Sequence, residues 1–142
     1  MNALIIGCGR VGATIALQLN IESWDVTVVD ENEDALSRLG DNWPGRFIVG
    51  HGMDVDLLRE AGIEEAEAVV VATSGDNTNL VIGQVAQKRF ANPCVVVRVL
   101  DPARAAFYND RGLRTVCPTK TAIDALTDAV RSCEIPRQEA TV

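Results

Sequence analysis

Gly7, Gly9 and Gly12 stand in the run Gly7-Cys8-Gly9-Arg10-Val11-Gly12, a G-x-G-x-x-G spacing. Chemically, such a run holds a phosphate rather than breaks a bond. The first glycine lets the chain turn sharply off a strand. The second has no side chain, so a pyrophosphate can approach the backbone. The third lets the following helix pack close to the strand. The anion then rests on the free N–H groups at the positive end of the helix dipole. About twenty residues on, the apolar run Val26-Thr27-Val28-Val29 ends in Asp30. An acid there can accept hydrogen bonds from both ribose hydroxyls of an adenosine, and it repels a 2′-phosphate. Asp30 can instead cap the next helix with Glu33, although Asn32 and Asp34 can also fill that role.

The other reactive side chains are few. Arg10 falls in the first turn of a helix, where a cation opposes the dipole and a bound phosphate would compensate it. Arg98 interrupts the apolar strand Val95-Val96-Val97-Arg98-Val99-Leu100 and must be paired. Its partner is either a carboxylate such as Asp101 or Asp76, or a ligand or neighbouring subunit at the strand ends. His51 is the sole histidine and has no acid–base partner evident in the sequence, so contact with a nucleotide or with solvent suits it better than catalysis. Met53 can pack on an adenine or in the core. Thr73 and Ser74 can bind a ribose or phosphate, or cap a helix, as Asp76 can. Tyr108 has Gly112 four positions on, not the lysine of a dehydrogenase pair. No Ser/His/Asp set and no metal-ligand cluster stands out, so no catalytic and no metal residue is assigned.

The elements that must position these residues alternate along 142 residues, enough for one ordinary domain. After the strand ending at Ile6, the first helix is expected to run to about Asn20. Strands are expected at Asp25 to Asp30, Arg46 to Val49, Ala68 to Ala72, Cys94 to Leu100 and Leu113 to Cys117. Helices are expected at about Asn32 to Leu39, from Asp54 to Gly62, Asn77 to Phe90, from Asp101-Pro102 to Asn109, and Thr119 to Cys133, with a frayed tail from Ile135. The apolar continuity of the strands suits burial on both faces. The reading is an α/β fold: a Rossmann-type doubly wound, six-stranded parallel sheet of order 3-2-1-4-5-6 in a single domain. Its crevice lies between strands one and four, where Gly7 to Gly12, Asp30-Glu31 and Thr73 to Asp76 meet, flanked by Gly50 to Met53.

Composition excludes other classes. A net charge of −7 leaves no basic surface for nucleic acid. The cysteines Cys8, Cys94, Cys117 and Cys133 make no C-x-x-C pair and suit small buried hydrophobes in a reducing cytosol. No apolar run approaches the roughly 20 residues of a membrane span, and no signal peptide is evident. The expectation is a cytoplasmic protein that meets a membrane only through a partner.

Several of these stretches together resemble a known family. They are Ile5-Ile6-Gly7-Cys8-Gly9-Arg10-Val11-Gly12, Val28-Val29-Asp30, Leu58-Arg59-Glu60-Ala61-Gly62-Ile63, Thr73-Ser74-Gly75-Asp76-Asn77-Thr78-Asn79-Leu80 and Val97-Arg98-Val99. In that order they resemble the regulator-of-potassium-conductance (TrkA-N, or KTN) domains over about residues 1–118. The resemblance implies a non-enzymatic regulatory module, ringed beneath a potassium channel or transporter and binding NAD(H), ATP, ADP or AMP to bias its gate. By position, Gly7, Gly9, Arg10 and Val11 would hold phosphates and Asp30 the ribose. Met53 would lie by the base, Thr73 and Ser74 along the crevice, and Arg98 near the ligand or a subunit contact. The candidate site is therefore Gly7, Cys8, Gly9, Arg10, Val11, Gly12, Asp30, Glu31, His51, Gly52, Met53, Thr73, Ser74, Gly75 and Arg98.

Two features depart from the pattern. The family usually has an acid where His51 stands, and full-length members carry a second ligand-binding subdomain for which this chain has no room. Residues 119–142 are expected to form a C-terminal helix and tail that can contact another subunit. Its apolar stripe of Ala122, Ile123, Leu126, Ala129, Val130 and Cys133 either packs on its own sheet or, as the resemblance implies, meets a second copy, giving a homodimer or larger ring. The competing functional reading is the NAD-binding half of a dehydrogenase. A stand-alone nucleotide carrier differs from the regulatory module only in its partners.

Overall fold

The strands form where Val, Ile and Ala run together, and two of them end in residues of the expected site, Asp30 and Arg98. A computed structural model describes residues 1–136. The frayed-tail expectation therefore lies, from residue 137 on, outside the described residues. Strands β1 (Asn2–Ile6), β2 (Asp25–Asp30), β3 (Arg46–Val49), β4 (Ala68–Val71), β5 (Cys94–Arg98) and β6 (Thr115–Val116) make one parallel sheet of order β3-β2-β1-β4-β5-β6. This is the doubly wound order expected from the glycine turn.

Alternation along β1 divides the core. Leu4 and Ile6 face a cluster with Val69, Val71, Leu58, Ile63, Leu80, Ile82 and Val97. Ala3 and Ile5 face a second cluster with Val26, Val28, Ala13, Ala16, Ala35 and Leu39. Helix α1 (Arg10–Ile21) covers the second face, and α2 (Val55–Glu60) and α3 (Asp76–Gln84) supply Leu58, Leu80 and Ile82 to the first.

Two glycines permit the close packing at the end of β1, one against the end of β4 and one beneath α1. Gly7 has φ of +100°, and a Cβ there would lie 2.7 Å from the Ala72 carbonyl. A Cβ on Gly12 would fall 1.8 Å from the Gly7 carbonyl oxygen. The first helical turn is thus pressed onto the strand end. At its far end α1 has no glycine to stop it. Ser23 supplies the left-handed residue instead, with φ of +67°.

Several boundaries differ from expectation. The second helix is 3-10, Glu33–Leu39. Asn32 caps it by accepting from the Asp34 N–H, and the Ser37 hydroxyl occupies the Asp34 carbonyl, which favours the tighter turn. The fourth helix divides at Gln84, and Val85–Arg89 forms a wider π-turn. Just past it, the Asn92 backbone donates to the Ala86 carbonyl, and its side-chain amide to the Ile63 and Ala66 carbonyls. Strand β6 is reduced to two residues, although Leu113 before it is buried.

Helix α4 (Pro102–Asn109) is capped by Asp101, and α5 (Pro118–Arg131) by the Cys117 thiol. The alternative in which the last helix packs on its own sheet is not what the chain does. No residue of α5 is buried, and Ile123, Leu126 and Val130 are 53%, 67% and 63% exposed. No helix of the described residues is long and apolar enough to cross a membrane.

The Gly12 contact gives a direct test of this packing. Gly12→Ala is expected to destabilise the fold by roughly 1–3 kcal/mol, because backbone rather than a flexible side chain must move. Urea unfolding measures it, and a loss below a few tenths of a kcal/mol would contradict the close approach.

Candidate functional site

Between β1 and β4 the order of the sheet reverses, and the strand ends there open a cleft of about 340 Å³. Five strand ends, those of β1 to β5, and the loops after them build it. Hydrogen bonds continue the ladder past the strands: the Gly7 N–H donates to the Val29 carbonyl, that of Ala72 to Ile6 and that of Gly50 to Asp30. The loops are therefore held in register with the sheet.

Ten of the expected residues line this cleft: Gly7, Gly9, Asp30, Glu31, His51, Gly52, Thr73, Ser74, Gly75 and Arg98. Five lie off its wall. Gly12 is buried beneath Gly7, and the Cys8 thiol points away to the Ala35 carbonyl at 3.4 Å. Burial first, and then the charge of Asp30, raise the Cys8 thiol above its usual range, with Arg38 opposing, so it stays a neutral core group. Arg10 and Val11 open α1 with exposed side chains, and Met53 is half-exposed outside the cleft. Ile6, Val29, Ala72 and Thr78 also line it; they read in the sequence as strand and helix, without a chemical signal.

The floor suits an anion. Gly9 is the N-cap of α1, and no side chain bonds the N–H groups of the first turn. A Cβ on Gly9 would meet nothing within 4 Å, so the space over that turn is open. Asp30 is fixed beside it: one carboxylate oxygen accepts from the Cys8 N–H at 2.6 Å and the other from the Asn32 N–H at 2.8 Å. Asp30 is therefore not the helix cap, since Asn32 takes that place. Each Asp30 oxygen keeps further acceptor capacity, and the residue lines the cleft.

His51 has the partner that the sequence did not show. Its Nε2 lies 3.1 Å from Glu31, and its Nδ1 accepts the Met53 N–H at 3.1 Å. The pair ties the loop after β3 to the end of β2.

Across the glycine turn the wall is organised by Asn79, a helix residue that is 1% exposed. Its carbonyl oxygen accepts from the Thr73 N–H and hydroxyl, and its amide donates to the Thr73 and Arg98 carbonyls. Thr73 is thus held by α3 rather than capping it. Gly75 is the N-cap and makes no side-chain bond. Asp76 turns instead to the loop after β5 and accepts from the Leu100 and Asp101 N–H groups at 2.7 and 3.0 Å. Burial pushes its carboxyl up, but those two donors, with Arg104 and Arg98, outweigh it and hold the group below its ordinary range. Arg98 makes no ion pair within 4.0 Å among the described residues; its Nη2 donates to the Thr73 carbonyl, so of the two alternatives the pairing with Asp101 or Asp76 is not found.

The family description "TrkA-N domain" matches residues 3–119, the span that contains every element of this cleft. The chain belongs to the TrkA-N domain family. Relatives of this TrkA-N domain include the Trk system potassium uptake protein TrkA of Streptomyces coelicolor. It is 40% identical over 126 residues, which cover 89% of this chain and 56% of that protein. The protein of the same name from Vibrio alginolyticus is 40% identical over 102 residues, covering 72% of this chain and 22% of that protein. The chain thus spans about half of the first relative and about a fifth of the second.

Among solved structures, the Kef CTD of Shewanella denitrificans in its AMP-bound form superposes with a TM-score of 0.78 at 22% identity, covering 92% of this chain and 80% of that one. The TrkA-N domain of the Escherichia coli inner membrane protein ybaL gives 0.79 at 17%, covering 91% and 96%. The GsuK channel bound to NAD gives 0.77 at 21%, covering 92% and 23%. At such identities they show the shared fold.

Asp76 predicts a pH dependence. A carboxyl with a folded pKa below its unfolded value adds stability above the unfolded value, and that stability is lost as pH falls through the folded one. Asp76→Asn is therefore expected to lower stability at neutral pH and to flatten the acid limb below about pH 4. Thermal midpoints from pH 7 to 2.5 check it; parallel curves for the two proteins would contradict it.

Proposed function

We propose that this TrkA-N domain is a nucleotide-sensing regulatory module that binds an adenine nucleotide, ATP, ADP, AMP or NAD(H), and biases a potassium-conducting membrane protein. The observation that carries the reading is the pairing of an unblocked helix N-terminus with a fixed acceptor. The α1 N–H groups face open space at Gly9, and Asp30 is clamped by two amides one strand away. Phosphates on the first and a ribose diol on the second fit one adenosine phosphate. The base then falls toward Glu31 and His51. The named activity of the relatives, potassium uptake, and the AMP-bound and NAD-bound neighbours support the same assignment.

In this reading the module is not an enzyme. His51 is engaged at both ring nitrogens and Asp30 at both oxygens, which leaves neither set up as a proton carrier for a hydride transfer. Nothing in the cleft favours the dehydrogenase reading over this one. The module works at the cytoplasmic face of the membrane, docked on its partner. Residues 1–118 hold the nucleotide, and the helix beyond them joins subunits into a dimer or ring. The exposed stripe of α5 supports that last assignment.

Two measurements test this reading. NAD is expected to bind and NADP to be rejected, with Asp30→Ala weakening NAD by roughly 1.5–3 kcal/mol in calorimetry. Equal affinities for NAD and NADP would overturn the role of Asp30. In light scattering the full chain is expected to be at least a dimer, and the chain cut after Pro118 to fall to a smaller species. A cut protein that stays folded and keeps the parent's mass would remove α5 from the contact.

A further inference from the structure

A groove of about 870 Å³ lies at the β3 edge of the sheet, between the 3-10 helix Glu33–Leu39 and β3. Trp43 and Phe47 line it with their half-buried rings packed against the core, and Leu36, 40% exposed, adds an aliphatic side. The Trp43 ring lies flat enough on the chain that a Cβ on Gly45 would come within 2.4 Å of it. Three exposed acids, Glu33, Asp34 and Asp41, share the lining. No ion pair of the described residues involves them. The arginines closest in sequence are turned elsewhere, Arg38 to the Cys8 carbonyl and Arg46 to that of Glu60. The groove is therefore apolar in its lining and uncompensated in its negative charge.

The strand beside it is open. Strand β3 ends the sheet and pairs only with β2. The Gly50 N–H donates to the Asp30 carbonyl, so by alternation Arg46 and Ile48 also turn their main chain to β2. Phe47 and Val49 turn theirs outward. Such an edge accepts an added strand, whose main chain pairs with the edge while every second side chain enters the groove beside it. The charge says what that strand carries. A second copy of this chain, at a net −7, sets like charge against the three acids. A segment rich in lysine or arginine, with large apolar residues at alternate positions, satisfies both the acids and the rings.

We propose that the β3 edge and its groove form a docking site for an extended, cationic, apolar-alternating segment of a partner protein. The site is separate from the nucleotide cleft and does not depend on how that cleft is read.

The probe is a capped heptapeptide of alternating lysine and leucine, titrated calorimetrically and by tryptophan emission. Its counterparts are the glutamate–leucine heptapeptide and an all-lysine heptapeptide. The lysine–leucine peptide is expected to bind saturably, to weaken as salt is raised, and to shift the Trp43 emission, which Trp24→Phe leaves in place. The other two peptides are expected to bind more weakly or not at all. Combining Glu33→Gln, Asp34→Asn and Asp41→Asn is expected to weaken the lysine–leucine peptide roughly tenfold, as the loss of a few exposed charge contacts would give. An all-lysine peptide that binds as tightly shows general attraction to an acidic protein and overturns the proposal. A glutamate–leucine peptide that binds as tightly overturns the role of charge, and with it the proposal. Both comparisons use the unaltered protein and need no variant to fold. An emission change that survives in Trp43→Phe places the peptide elsewhere and has the same result. Light scattering at peptide saturation is expected to show the mass of the protein assembly unchanged apart from the peptide. A fall in that mass means that a second copy holds the groove, which also overturns it.

Discussion

The first turn of α1 and the carbonyl of Gly7 approach so closely that only a hydrogen fits between them at Gly12. Much of the site follows from that contact. It sets the helix N-terminus at the end of the central strand, with its amides directed at the cleft. It also keeps the Gly7 turn tight enough for the Cys8 N–H to reach the Asp30 carboxylate. The glycine turn and the β2 acid are therefore one rigid unit, linked by a charge-assisted bond rather than by sequence proximity. In the proposed reading a ligand would meet a preformed acceptor and a preformed donor set, with little ordering required of the protein.

The other half of the cleft is built by different means. Asn79 gathers Thr73 and the end of β5 into one polar hub, and Asp76 ties the start of α3 to the loop that caps α4. These bonds bridge β4, β5 and α3 at the place where the sheet order changes. Charge then differs from end to end: Asp30 and Glu31 on one side, Arg98 on the other. A cleft polarised in this way distinguishes ligands by where their charges lie, in addition to how well their surfaces fit. The hub also leads through the Asp101 cap to α4, β6 and the exposed α5.

Much of this was legible in the residues. The glycine spacing, the acid at the end of β2 and the alternation of elements determined the sheet order and the crevice, because each has a steric or electrostatic reason local to a few residues. Contacts between distant loops were not legible. His51 finds Glu31 only because parallel pairing brings Val49 beside Asp30. Cys8 reads as part of the motif but its thiol is buried and reaches the Ala35 carbonyl. The helix at Glu33–Leu39 was legible but its 3-10 form was not, since hydrophobic period does not carry the Ser37 bond to the Asp34 carbonyl. Asn79 gave a signal, a polar residue on the apolar side of a helix, whose meaning needed the strand order.

The central claim is that a nucleotide places its phosphates on the first turn of α1 and its ribose on Asp30. Amide chemical-shift mapping during titration with ADP tests this most directly. The account predicts the largest shifts at the backbone N–H groups of Gly9, Arg10 and Val11, with Cys8 and Asn32 moving as the Asp30 carboxylate responds. Saturable shifts confined to α4 or α5, with the glycine turn unchanged, would contradict it.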